Sequence, residues 1–293
     1  MRTKGYNQNI TVNNFNISYD DLGEGATPVI FLHGFPFNKT MWQSQLFSLQ
    51  TITRVIALDI RGFGASKDED TSLSIGLFAD DLIKFMNALC IDKAIICGLS
   101  MGGYIALNAV QRFSSRFSGL ILCNTQCSAD TKEGKEKRYK AIEDIDANGV
   151  TPFNEQFVNS IFYKGSFLNK KETVEAVRGM IFSNSKKSIQ MGLSALADRS
   201  EACSSLQAVN IPTLIICGRE DAVIPMKQSE YMHSVIKGST LRIINHAGHV
   251  SNLEHPLEFN KHLFDFISAM NTDDHLNVNK YERNTKSTVV WDI

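Results

Sequence analysis

Short continuous apolar runs alternate along most of the chain with stretches whose apolar residues recur every third or fourth position. Phe15–Tyr19 alternates apolar and polar residues as a half-buried strand does, and the polar, glycine-bearing stretch from Asp20 to Gly25 reads as a turn. Val29-Ile30-Phe31-Leu32 is apolar throughout, the pattern of a parallel strand covered on both faces. Met41–Leu49 reads as a short helix and Arg54–Leu58 as a second strand. Ser74 precedes a helical pattern in which Ile75, Phe78, Leu82, Phe85, Met86 and Leu89 are spaced by threes and fours. Ala94–Cys97 predicts the next strand, followed by a glycine-rich turn and an apolar helix from Met101 to about Phe113, and Leu120–Cys123 predicts another strand.

From about Ser128 to Ser205 no buried strand is apparent, and helical patterns dominate over Lys132–Ile145, Phe153–Phe162, Lys171–Phe182 and Ser188–Leu196. Alternation resumes after Pro212, with strands at Thr213–Cys217 and Leu241–Ile244 and helices at Met226–Val235 and Pro256–Met270. Strands and helices joined by short connections imply an α/β fold with a doubly wound, mostly parallel sheet. Residues 1–127 and 206–270 then form the core, 128–205 an inserted helical cap, and 271–293 a polar tail expected to be loosely ordered.

Composition narrows the setting without assigning a function. Lys and Arg number 30 and Asp and Glu 31, so a net charge of −1 gives no global reason to bind nucleic acid or an anionic membrane. No apolar run approaches the about 20 residues that span a bilayer, and the polar Met1–Ile10 stretch lacks the apolar segment of a signal peptide. The expected setting is cytoplasmic. Of the six cysteines, Cys97, Cys123 and Cys217 fall in or at the end of strand-like runs, and all six, with Cys90, Cys127 and Cys203, are expected to be buried free thiols without a mechanistic part.

The chemistry concentrates at a few turns. Gly98-Leu99-Ser100-Met101-Gly102 fits G-x-S-x-G between a strand and a helix, the setting of a nucleophile elbow. Glycine is needed there because side chains at Gly98 and Gly102 would strike neighbouring backbone, while the turn lifts the Ser100 hydroxyl clear of the sheet. A serine hydroxyl needs a general base. His246 and His249 both lie on the loop at the carboxyl end of the Leu241–Ile244 strand, on the same sheet edge as Ser100. The acid that orients such a base is supplied by position from Glu220 or Asp221, after the Thr213–Cys217 strand. Two backbone donors for an oxyanion are expected: the amide of Met101, and that of Phe35 in His33-Gly34-Phe35-Pro36, since Pro36 has no N–H.

With these residues in order, the chain from about Phe15 to Met270 resembles the α/β-hydrolase superfamily. The resemblance rests on His33–Pro36, Asp59–Ser66, the Ser100 elbow, Gly218–Asp221 and Gly248-His249, with Glu254 and Pro256 downstream. It implies that Asp221 is the acid and His249 the base, that His246 is a loop neighbour, and that Asp59 and Arg61 organise loops. The cap and Leu196–Ser200 are similar to the esterase and 3-oxoadipate enol-lactonase-like branch. A serine rather than an aspartate at position 100 argues against haloalkane dehalogenase and epoxide hydrolase chemistry.

The cap is expected to cover the site as a lid, its apolar residues forming mostly its own core, with Phe157, Phe162 and Met191 as substrate-pocket candidates. The charged stretch Lys132–Lys140 reads as a solvated helix face. No zinc pattern completes His246-x-x-His249, and no phosphate-binding loop appears, so neither metal nor nucleotide cofactor is expected. The leading expectation is a cofactor-independent serine hydrolase of small esters or lactones. The same residues would also serve a C–C bond hydrolase, a cofactor-free haloperoxidase-like enzyme or a small-ligand receptor.

Overall fold

The computed structural model describes residues 4–12 and 14–270, so the tail expected over 271–293 lies outside the described residues. Eight strands form one sheet: β1 (Gly5–Val12), β2 (Phe15–Leu22), β3 (Val29–Leu32), β4 (Val55–Leu58), β5 (Ala94–Leu99), β6 (Phe117–Cys123), β7 (Thr213–Gly218) and β8 (Thr240–Ile244). The helices are α1 (Gln43–Leu49), α2 (Ile75–Ala88), α3 (Met101–Arg112), α4 (Lys132–Asn148), α5 (Thr151–Ile161), α6 (Ser166–Asn169), α7 (Lys171–Phe182), α8 (Lys186–Ala197), α9 (Lys227–Val235), α10 (Ser251–Glu254) and α11 (256–270).

The strand order is β1-β2-β4-β3-β5-β6-β7-β8, parallel from β4 to β8, with β2 antiparallel to both its neighbours. Chain order reverses between β3 and β5, so the loops after these two strands diverge and leave a crevice at their carboxyl ends. The apolar run of β3 divides by its period of two. Ile30 and Leu32 join the buried cluster under α2 and α3, whereas Val29 and Phe31 join the one holding Trp42, Leu46 and Phe259. Trp42 wedges between Phe31 and Phe259, with ring centroids 5.0 and 6.3 Å away. Helix α2 begins where Ser74 accepts the Leu77 amide.

Helices α4 to α8 lie between β6 and β7. Only Ile145 is buried on α4, whereas α8 buries seven of its twelve residues. No helix among the described residues is long and apolar enough to cross a membrane.

Two expectations fail. Asp20 and Asp21 belong to β2 and are buried, not turn residues. Arg54 chelates the Asp21 carboxylate at 2.9 and 2.7 Å, which compensates its burial. The cysteines are also not uniformly buried thiols. Cys127 and Cys203 form a disulfide, with Cα atoms 4.8 Å apart, and Cys90 is exposed. Spacing concealed the pair because the two cysteines stand 76 positions apart, on chain segments that return to the same point.

Candidate active site

Strand β5 ends at Leu99 and α3 begins at Met101, so the whole turn falls on Ser100. Its backbone sits at φ 54°, ψ −114°, a conformation that costs a side-chain-bearing residue about 1–3 kcal/mol. Four hydrogen bonds hold it there. The Ser100 amide donates to Cys123 O (3.0 Å), and its carbonyl accepts from the amides of Gly103 (2.9 Å) and Tyr104 (3.2 Å) and the Thr125 hydroxyl (2.8 Å). A Cβ at Gly98 would stand 2.2 Å from Gly102 O, and one at Gly102 would stand 2.2 Å from Leu32 O. Both contacts are with backbone that cannot yield, so the glycines are what let strand, elbow and helix approach.

Registry between β7 and β8 pairs Gly218 with Ile244 and brings the loops after them together. His249 Nδ1 lies 2.8 Å from Asp221 Oδ2, and both side chains are almost wholly buried. The same Asp221 oxygen accepts from Asn124 Nδ2 at 2.8 Å, and Oδ1 accepts the amides of Val223 (2.8 Å) and Ile224 (2.9 Å). Burial alone would raise the Asp221 pKa, but His249 and these donors outweigh it and hold the carboxyl below its ordinary value. An ionised Asp221 only accepts, so Nδ1 of His249 carries the proton of this bond. Nε2 is buried without a hydrogen-bond partner.

The two positional ties resolve in space. Glu220 turns away to accept the Ala247 amide at 3.1 Å. His246 packs its ring 5.4 Å from Tyr163, and its carbonyl accepts from His255 Nε2 at 2.9 Å.

Pairing of Leu32 with Gly98 sets the loop after β3 beside the elbow. A Cβ at Gly34 would lie 3.2 Å from Ser100 Cβ. His33 is fully buried, and burial lowers its pKa and keeps it neutral. Its Nε2 accepts the Ile60 amide at 2.9 Å, so Nδ1 bears the proton and donates to Gly34 O at 2.8 Å. That fixes the peptide leading into Phe35, which is followed by a cis bond to Pro36. Met101 opens α3, and its amide is among the first-turn donors with no acceptor inside the helix.

Ser100, His249 and Phe35 line one cavity of about 120 Å³, with Tyr104, Gln126 and Phe157 on its other sides. The sequence profile described as alpha/beta hydrolase fold matches residues 27–256, which contain all of these residues.

The chain belongs to the α/β-hydrolase family.

This α/β-hydrolase is similar to 3-oxoadipate enol-lactonase 2 of Acinetobacter baylyi, with 28% identity over 87% of this chain and 94% of that protein. It is also similar to a putative non-heme chloroperoxidase of Synechocystis, with 29% identity over 86% and 94%. Among solved structures, a thermophilic esterase from Thermogutta terrifontis, determined with malate bound, superposes with a TM-score of 0.86 and 31% identity. That match covers 90% of this chain and 99% of the esterase.

Of the three pocket candidates from the insertion, only Phe157 lines the hydrolase's cavity. It packs 6.0 Å from the Phe35 ring and stacks on Phe153. Phe162 follows α5 in an extended conformation and packs against Phe167 at 5.7 Å, within the cluster that also holds Ile161 and Val177. Met191 is turned one helical step from Gly192, the α8 position that meets the Phe35 and Phe63 rings, and packs against core residues without lining the cavity.

Several residues in or beside the cavity escaped the sequence reading. Arg138 lies in the stretch read as a solvated face, yet its guanidinium reaches the cavity and bonds Asp130 at 2.5 Å. Arg199, almost fully buried, pairs with the same carboxylate at 2.8 Å and lies over the Tyr104 ring. Tyr104 was within reach of spacing, being one turn past Ser100 on α3. Asn124, with φ 44° at the end of β6, carried no motif. Asp59 and Arg61 organise loops as expected: Asp59 accepts from Lys39 and from the Ala65 amide, and Arg61 pairs with Asp81 and Asp68.

Proposed function

We propose that this α/β-hydrolase is a serine hydrolase of small carboxylic esters or lactones. The observation that carries the reading is the buried His249, whose Nδ1 proton is fixed on an ionised Asp221 while its unpartnered Nε2 belongs to a residue lining the same cavity as Ser100. In this reading Nε2 takes the Ser100 proton as the oxygen attacks the substrate carbonyl. Asp221 stabilises the imidazolium that forms. The amides of Met101 and Phe35 donate hydrogen bonds to the oxyanion, and loss of one such donor lowers kcat by about 100- to 1000-fold. His249 then protonates the leaving alcohol, or the enol oxygen of a lactone, and water activated by the same imidazole releases the acyl group. The helices between β6 and β7 act as a lid, since Phe157 from α5 and Leu196 from α8 close the cavity. The similarity to an enol-lactonase and an esterase supports this substrate class.

The direct test is hydrolysis of p-nitrophenyl acetate by the native chain and by Ser100→Ala. Turnover is expected to fall to background in the variant with an unchanged far-UV circular dichroism spectrum. A variant that hydrolyses the ester at the native rate overturns the reading.

A further inference from the structure

Glu254 takes no part in the chemistry proposed above, yet its side chain is fully buried beside the base. The carboxylate accepts three hydrogen bonds. Oε1 takes the Tyr163 amide (2.9 Å) and the Ser166 hydroxyl (2.6 Å), and Oε2 takes the Gly248 amide (2.6 Å). Tyr163 and Ser166 follow α5 in the cap, whereas Gly248 is the residue before His249. The neighbouring cations are engaged elsewhere or only graze it. Lys170 Nζ donates to the backbone carbonyl of Glu254, not to its carboxylate, and His255 Nε2 bonds the His246 carbonyl. Burial pushes the Glu254 pKa up, and the three donors with His255 offset this only in part. A carboxylate is thus a costly way to fill this space, and what it supplies is the direction of its bonds.

The same cap segment touches the backbone of the base itself. The His249 amide donates to Ile161 O at 2.7 Å. A Cβ on Gly248 would stand 2.6 Å from Ile161 O and 2.7 Å from both Phe162 C and Tyr163 N, so cap backbone lies directly on the peptide that carries His249. From the sheet side, Asn124 Nδ2 holds Gly248 O at 3.1 Å. Asp221 therefore orients the His249 ring, while cap atoms fix the backbone from which that ring projects. Phe157 on the cavity wall and Ile161 are one turn apart on α5, so the helix that closes the cavity also holds the base.

Resting on the serine-hydrolase reading above, we propose that Glu254 is a positioning residue for His249. It locks residues 161–166 of the cap onto the His249 loop, and the cap thereby sets where Nε2 stands relative to the Ser100 hydroxyl. Glutamine cannot reproduce the bonds, because its NH₂ group would oppose either the Gly248 N–H or the Tyr163 N–H. Misplacing a catalytic group by about 1 Å lowers the rate by about 100-fold, so loss of the lock is read in turnover.

The test joins steady-state kinetics on p-nitrophenyl acetate to the proton NMR spectrum of the protein without substrate. The Nδ1 proton between His249 and Asp221 is expected as a resonance far downfield of the amides, assigned by its loss in His249→Ala. Glu254→Gln is expected to lower kcat by about 100-fold with KM little changed, and to shift or broaden that resonance. Ser166→Ala, which removes one of the two cap-side bonds and keeps the carboxylate, is expected to move the resonance and lower kcat by about tenfold at most. Should Glu254→Gln fold poorly by circular dichroism, Ser166→Ala carries the test. Native kcat, a loss confined to KM, or a resonance that stays in place in a folded variant each overturn the proposal. If the native chain does not turn over the ester, the hydrolase reading fails, whereas the resonance still reports whether Glu254 positions His249, so the two failures are distinguishable.

Discussion

Asn124 ties together both halves of the pair behind the proposed base. Its Nδ2 donates to Asp221 and to Gly248 O, and its Oδ1 accepts from Ser251, all among buried groups. Removing it by Asn124→Ala takes a charge-assisted hydrogen bond from Asp221 and leaves the carboxylate less stabilised in its ionised form. A loss of kcat by about tenfold or more is expected with KM little changed, read from steady-state kinetics on p-nitrophenyl acetate. A variant with native kcat would show that Asn124 only packs. At this scale the sequence announced the residues bound by steric necessity, Gly98 and Gly102 around Ser100, because backbone contacts at 2.2 Å admit no alternative. It was silent on Asn124 and Arg138, whose roles depend on which side chains a distant loop or helix delivers.

The strands and helices of the sheet domain followed closely from hydrophobic periodicity, since each has a face with an apolar neighbour on it. The exceptions are β1, which buries only Ile10 and Val12 as an edge strand and so reads as a polar stretch, and the end of β2, where Asp20 and Asp21 read as a turn. The orientation of the insertion was not legible, because the same apolar faces of α5 and α8 serve both their own packing and the cavity. Two devices fix it. Glu254, fully buried, accepts the Tyr163 amide (2.9 Å) and Ser166 hydroxyl (2.6 Å) on one oxygen and the Gly248 amide (2.6 Å) on the other, and the His249 amide donates to Ile161 O at 2.7 Å. The other device is the Cys127–Cys203 disulfide at the neck, where the Ala202 amide also bonds Cys127 O. Closing a loop of this length restricts the unfolded chain by about 4 kcal/mol. Cys203→Ala is therefore expected to lower the urea midpoint in oxidising buffer and to match native protein in excess dithiothreitol. Identical midpoints in both buffers would contradict the staple.

Across the whole molecule, the reversal of strand order between β3 and β5 explains why His33, Phe35 and Ser100 meet although 67 positions separate His33 from Ser100 in the numbering. The loop after β4 is anchored separately. Arg61 bridges Asp68 and Asp81 while lying 3.7 Å over the Phe15 ring, joining the loop to α2 and β2. Burial would raise the Asp68 pKa, but Arg61 and the Thr71 and Asp70 donors lower it from 3.8 to about 2. The folded-state value lies below the unfolded one, so the linked stabilisation, about 2 kcal/mol, is complete above about pH 4 and disappears as pH falls through about 2. Urea unfolding of native protein and Asp68→Asn should show that gap at pH 7 and its closure near pH 2. A gap unchanged at low pH would rule out this linkage.

The most direct test of the central claim is labelling with a fluorophosphonate, which reacts covalently only with an activated serine. Peptide mapping is expected to place one label on Ser100, with labelling abolished in Ser100→Ala and in His249→Ala. A label on another residue, or undiminished labelling in either variant, would contradict the account.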